Sequence, residues 1–178
     1  MPAKDFRQPQ YGFTLIETMI AIAVLAIGVL SLAAVLSEGM LTMSSSQSDL
    51  IAKQKAAEAI ESVFTSRATG VLTWAQIRNV KDGGIFLGGP QPLLDPGPDG
   101  LVNTADDDPT KPNIIVTPGP DGLLGTADDI VLPLTNFTRE IQITDIAPNL
   151  RQINIIMSYT VGRLTRTYTL TTYMSSFA

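Results

Sequence analysis

The 178-residue sequence has no cysteine and no histidine, and only one tryptophan. Without cysteine, no disulfide can staple the fold and no thiol chemistry is available. With histidine also missing, the usual zinc, haem and thiol-nucleophile sites are excluded. An exported domain made from this chain must be held by core packing, a metal or assembly. No basic patch is present to neutralise phosphates, so no nucleic-acid partner is expected. The net charge is −5, and one segment sets it. Between Asp95 and Ile130 lie Asp95, Asp99, Asp106, Asp107, Asp108, Asp121, Asp128 and Asp129 against the single cation Lys111. That segment carries −7, which leaves +2 for the rest of the chain.

The other prominent feature is an apolar run. Residues Met1 to Gly12 are polar and carry Lys4 and Arg7. From Phe13 to Leu36 only Thr14, Glu17, Thr18 and Ser31 interrupt the apolar sequence, and proline is absent from Phe13 to Arg67. The uncharged stretch Met19 to Leu36, as a helix, covers roughly 27 Å, close to the hydrocarbon thickness of a bilayer. Helical hydrogen bonds satisfy such a backbone in lipid. The basic leader is then expected on the cytoplasmic side and the remainder outside. A secretory signal fits poorly, because the apolar run continues into a helical pattern without a break, and the basic and small-residue features, Lys4, Arg7 and Gly12, lie before it.

Glu17 stands inside this run, where an acidic side chain costs on the order of 2.5–3.5 kcal/mol on insertion scales. In a lone precursor it can reach the headgroups at the cytoplasmic boundary. A cut after Gly12 would give Phe13 a free amine, and a neighbouring subunit could offer that amine to Glu17. Gly12-Phe13-Thr14-Leu15-Ile16-Glu17 ahead of an apolar helix resembles the prepilin processing motif of type IV pilins and type II secretion pseudopilins. The resemblance implies cleavage between Gly12 and Phe13 by a membrane prepilin peptidase, methylation of the Phe13 amine, and a role for Glu17 in assembly. It also implies other pilin subunits as partners, with membrane lipid around the helix before assembly. The Ala26 to Leu30 run and the tyrosines of the last strand look more like a minor pilin or pseudopilin.

Beyond the membrane segment, Ala52, Ala56, Ile60 and Val63 recur at spacings of four and three, with Phe64 beside Ile60. This apolar stripe predicts that the helix continues to about Arg67, with Gly70 as its stop. Towards the C-terminus, Ile141 and Ile143 open one strand, which ends near Pro148-Asn149. Ile153, Ile155, Met157, Tyr159 and Val161 alternate in a second; Tyr168, Leu170, Thr172 and Met174 alternate in a third, after a turn at Gly162-Arg163. Such a meander needs a cover, which the helix stripe can supply. The expected fold is α+β, a pilin-like long helix packed on an antiparallel β-meander. The expected divisions are a leader at 1–12, a membrane and filament-core helix at 13–36, its amphipathic continuation at 37–67, and a globular part at 68–178. Within the last, strands span about 138–174 and a Pro/Gly/Asp-rich loop insertion spans 83–133.

That insertion contains a repeat. Pro96-Gly97-Pro98-Asp99-Gly100-Leu101-Val102-Asn103-Thr104-Ala105-Asp106-Asp107 recurs 22 residues later as Pro118-Gly119-Pro120-Asp121-Gly122-Leu123-Leu124-Gly125-Thr126-Ala127-Asp128-Asp129. In one reading these are turns whose aspartates bond nearby backbone, and the insertion is a solvated flap. In the other, each repeat wraps a calcium ion, with Asp99, Asp106 and Asp107, or Asp121, Asp128 and Asp129, as oxygen ligands. The spacing is not that of an EF-hand, since no glutamate holds the twelfth place. The functional expectation is a non-enzymatic filament subunit, since there is no recognisable nucleophile elbow. The rival expectation is a membrane-tethered, calcium-dependent adhesive protein that does not polymerise.

Overall fold

The structure, a computed structural model, describes residues 12–162 and 164–177. One helix, α1, runs Leu15–Ala68. Thr14 opens it, with Oγ1 accepting from the Glu17 N–H at 3.2 Å. Glu17 itself sits in the first turn, where the helix dipole favours a carboxylate. At the other end Gly70 takes the left-handed conformation, φ 76°. Its N–H bonds to the Arg67 carbonyl at 3.2 Å, so the stop falls at the glycine the sequence offers.

The chain divides after Met43 into two compact units. In the first, every residue from Phe13 to Met40 is exposed. Its hydroxyls bond back to the helix: Thr18 to the Leu15 carbonyl and Ser31 to the Ile27 carbonyl, both at 2.8 Å. Those polar groups are therefore satisfied without water, as a lipid-exposed helix requires. By length and composition this segment can cross a membrane.

The second unit, from Ser44 onward, combines the rest of the helix with a four-stranded sheet in the order β1-β4-β5-β6. Here β1 is Gln91–Pro92, β4 is Phe137–Ala147, β5 is Leu150–Val161 and β6 is Leu164–Ser175. All pairings are antiparallel, and a register irregularity between Asp145 and Ala147 precedes the β4–β5 turn. A separate hairpin pairs β2, Ile114–Thr117, with β3, Ile130–Pro133.

Ala52, Ala56, Ala59 and Val63 are fully buried and share one core with Ile141, Ile153, Ile155 and Met157. The 4-3-4 spacing keeps those four on one helix face, and three alanines let that face lie close to its cover. Ile60 and Phe64, expected in the stripe, lie half-buried at its margin.

The Pro/Gly-rich insertion is not a loop without a core. Phe86, Leu93, Leu101 and Val102 are buried in the same cluster, and Gln91–Pro92 adds an edge strand to β4. The meander thus has four strands where three were expected. Single apolar residues between tight turns leave no periodicity to detect, yet each turn can still drop one side chain into the core.

Candidate functional site

Gly12, Phe13 and Thr14 precede the first helical residue, so the Gly12–Phe13 peptide lies outside the helical hydrogen-bond ladder. A peptide has to be extended to enter a peptidase, and the Gly12–Phe13 bond is free of helix. Phe13 is 83% exposed, and Glu17 is exposed one turn inside the helix. No described residue pairs with the Glu17 carboxylate.

The two acidic repeats fold alike. In the first, the Leu101 N–H donates to Asp99 Oδ1 at 2.8 Å and the Asn103 N–H to Asp107 Oδ2 at 2.8 Å. The Thr104 hydroxyl donates to Asp106 Oδ1 at 2.8 Å and meets Asp107 Oδ1 at 3.2 Å. In the second, Leu123 N–H to Asp121 (2.8 Å), Gly125 N–H to Asp129 (2.7 Å) and Thr126 hydroxyl to Asp128 (2.7 Å) repeat the pattern. Gly100 and Gly122 both hold a left-handed φ, 70° and 72°, as do Asn103 and Gly125, 60° and 86°. A Cβ at Gly97 would strike Asp106, and one at Gly119 would strike Asp128. Twelve residues therefore encode one local shape twice.

Their surroundings differ. Leu101, Val102, Asn103 and Thr104 are buried, whereas Leu123 and Leu124 are 63% and 64% exposed. The first repeat is clamped to β4. Asn103 Nδ2 donates to the Arg139 carbonyl and Arg139 Nε donates to Asn103 Oδ1, both at 2.8 Å. The Leu87 N–H donates to the Asn103 carbonyl at 2.7 Å. Burial lowers the Arg139 pKa to about 10, against the opposing pull of Glu58 and Asp107. Burial likewise raises Asp107, although the Asn103 N–H, the Thr104 hydroxyl and the Arg139 charge act the other way. In the exposed repeat Asp128 is lowered, chiefly by the Thr126 hydroxyl.

For calcium, the structure brings Asp106 with Asp107, and Asp128 with Asp129, onto a threonine hydroxyl, while Asp99 and Asp121 each take a backbone N–H. Among the described residues no group of three or more acidic side chains is placed to hold a metal ion. As they stand, the six carboxylates serve as acceptors for their own loops.

Sequence reasoning missed three buried polar residues. Asn79 acts as a strand in miniature at the edge of β4: Nδ2 donates to the Ile141 carbonyl at 2.7 Å and Oδ1 accepts from the Ile143 N–H at 2.9 Å. Arg151 lies over the Trp74 ring, 4.0 Å from its centroid. It donates to Asp145 Oδ1 at 2.6 Å and to the carbonyls of Ile77, at 2.9 Å, and Trp74. Strand parity carried a signal for the two arginines. Arg139 stands two residues before Ile141 and Arg151 two before Ile153, each on the core side.

The family model described as the prokaryotic N-terminal methylation motif matches residues 7–33. No curated protein and no solved structure gives a match. The motif implies processing by a prepilin peptidase and assembly with pilin-like subunits. A methylation motif at 7–33, a long apolar helix and an antiparallel sheet make an α+β architecture consistent with that of a type IV pilin-like prepilin.

Proposed function

We propose that the chain is a non-enzymatic minor pilin or pseudopilin, cleaved after Gly12, methylated on the Phe13 amine and polymerised through its N-terminal helix. Glu17 carries the proposal. It is the fifth residue counted from Phe13, on a helix surface that is otherwise uncharged as far as Leu36 and wholly exposed. Lipid disfavours an unpaired carboxylate at that position. A neighbour's Phe13 amine, absent until the leader is removed, neutralises it and fixes the axial register of the subunits. Before assembly the helix anchors the subunit in the cytoplasmic membrane, with the sheet domain outside.

The test is Glu17→Ala in cells with an intact peptidase. The variant should still be cleaved, giving a mature mass that begins at a methylated Phe13, yet enter no filament. Normal filaments from Glu17→Ala, or full-length chain starting at Met1 in a working filament, would refute the reading. A tethered binding protein that never polymerises would be indifferent to the substitution.

A further inference from the structure

The two edges of the four-stranded sheet are finished differently. Along β4 the Ile141 carbonyl and the Ile143 N–H bond to Asn79, and the Arg139 carbonyl bonds to Asn103. The odd residues of β4 therefore point their backbone groups away from β5. An antiparallel ladder alternates, so the even residues of β4 bond to β5. By the same alternation the odd residues of β5 bond to the even residues of β6. Thr165, Thr167, Thr169, Thr171 and Tyr173 are left with N–H and C=O turned outward. Side-chain contacts agree: Thr171 donates to Asn154 at 2.8 Å and Thr167 lies 3.5 Å from Ser158, across the close, non-hydrogen-bonded pairs. β6 is the last strand of its sheet, and all five residues are exposed. No described residue beyond β5 bonds to that outward row.

Exposed strand edges are usually blunted by proline, lysine, a bulge or short length. β6 runs 12 residues without proline or lysine, in unbroken register with β5. Its one described charge, Arg166, turns to Asp49 on α1 at 3.4 Å. We propose that β6 is an acceptor edge: an extended segment of a partner polypeptide pairs with it, backbone to backbone, as a fifth strand of the sheet. The outward row specifies that occupant, since only an extended backbone meets donors and acceptors at this spacing. The helix specifies its side chains. Asp49 accepts from the Tyr159 hydroxyl and from Arg166, Lys53 lies 6.0 Å from the Tyr168 ring centroid, and Arg67 donates to the Ser176 carbonyl at 3.0 Å. These contacts set one line of α1 alongside β6, and Ile60 and Phe64 stand on that line between Lys53 and Arg67. Both are half-buried against the core that Tyr168 and Leu170 join, so each has apolar surface left to cover. The segment therefore lays alternate apolar side chains over Ile60 and Phe64 and keeps polar ones beside the outward threonines.

A second copy of the chain fits this edge poorly. Pairing β6 with its counterpart, core sides together, needs a twofold axis normal to the sheet. That axis reverses the outer half of α1, whereas copies anchored in one membrane all point the same way. A copy standing the same way up would present the other edge of its sheet, which β1, Asn79 and Asn103 already close. The partner is therefore a different polypeptide with an extended segment to give. This choice of partner rests on the membrane reading; the open edge itself does not.

The test uses the full-length chain in detergent and a fluorescent peptide of the sequence Leu150–Val161, a strand whose alternation already suits β6. Saturable binding by fluorescence anisotropy is expected. Thr169→Pro removes one outward N–H and spares the ladder to β5, the place where a strand tolerates proline. It should weaken binding about tenfold, through one lost hydrogen bond and a stranded peptide carbonyl. Thr169→Val keeps the backbone and should bind as the parent does. A peptide of the same composition with its alternation scrambled should bind about tenfold more weakly. If Trp74 fluorescence shows Thr169→Pro to be unfolded, Ile60→Lys decides instead, with a several-fold loss expected. No binding by the parent, undiminished binding by folded Thr169→Pro or by Ile60→Lys, or equal binding of the scrambled peptide would each overturn the proposal. A two-chain species in light scattering that Thr169→Pro abolishes would put a second copy on the edge and overturn the choice of partner. None of these outcomes bears on leader cleavage or filament entry, which Glu17→Ala judges separately.

Discussion

Replacing Asn103 by glycine gives the first repeat the residue found at the same place in the second. The backbone tolerates the change, since φ at Asn103 is 60° and glycine is at ease there. The bond from Leu87 N–H to the carbonyl of residue 103 is also kept. What disappears is the side-chain clamp, two 2.8 Å hydrogen bonds to Arg139. Arg139 is 2% exposed, so its Nε–H and its carbonyl are left without partners in the core. A hydrogen bond to a charged group contributes about 1.5–3 kcal/mol, and a stranded buried carbonyl costs about 1–3 kcal/mol. Relief of the left-handed conformation returns about 1 kcal/mol. The net loss is therefore about 1.5–5 kcal/mol. At a urea slope of about 2 kcal/mol per molar, the unfolding midpoint falls by roughly 0.8–2.5 M. Fluorescence of Trp74, the sole tryptophan, reports it in the detergent-solubilised chain. The reciprocal Gly125→Asn adds a side chain to an exposed left-handed position with nothing to clamp, and should change stability by about 1 kcal/mol or less. Equal effects from the two substitutions would refute the claim that the Asn103–Arg139 pair fixes the first repeat.

Three further outcomes are expected. Asn79→Leu strands the Ile143 N–H and the Ile141 carbonyl on β4 and should lower stability by about 2–4 kcal/mol in the same urea assay; a loss under about 1 kcal/mol would mean the edge is satisfied otherwise. Burial raises Asp107 above 3.8, so its favourable contribution is present at low pH and is lost as pH rises through the raised value. Asp145, lowered mainly by its hydrogen bond from Arg151, contributes in the opposite sense, with stability lost as pH falls below 3.8. Urea midpoints measured against pH should therefore show Asp107→Asn losing a gain that the parent chain makes on mild acidification; parallel profiles would refute this. Each repeat carboxylate already accepts from its own loop, so melting should be the same in calcium and in chelator. A rise of several degrees in calcium would establish that the pairs rearrange into ligands.

Helix, strands and turns were legible because their signals are periodic or local. The stripe from Ala52 to Val63, the alternation from Ile153 to Tyr159 and the stops at Gly70 and Pro148-Asn149 all lie within a few residues of what they control. The internal shape of the repeats was legible for the same reason. Asp99 to Leu101 and Asp107 to Asn103 span two and four residues. The illegible part joins distant positions. Asn79 meets β4 more than sixty residues away, and Asn103 meets Arg139 across thirty-six. Only Arg139 and Arg151 gave any hint, by their place in the strand alternation, and charge argued against burial.

The duplicated loop separates two things that sequence usually confounds. Identical local bonds give both copies one conformation, buried or exposed, so the shape does not depend on docking. Docking depends on what the loop meets: for the first copy the Arg139 side chain and carbonyl and the Leu87 backbone, and for the second no such clamp among the described residues. The aspartates that give the segment its −7 accept from backbone amides and threonine hydroxyls, so their charge is partly offset locally while the loop stays acidic to anything approaching from outside. A loop already ordered by its own hydrogen bonds has little conformational entropy left to lose on contact. Its aliphatics are therefore presented in advance on a rigid turn, which favours association with a fixed surface over induced folding.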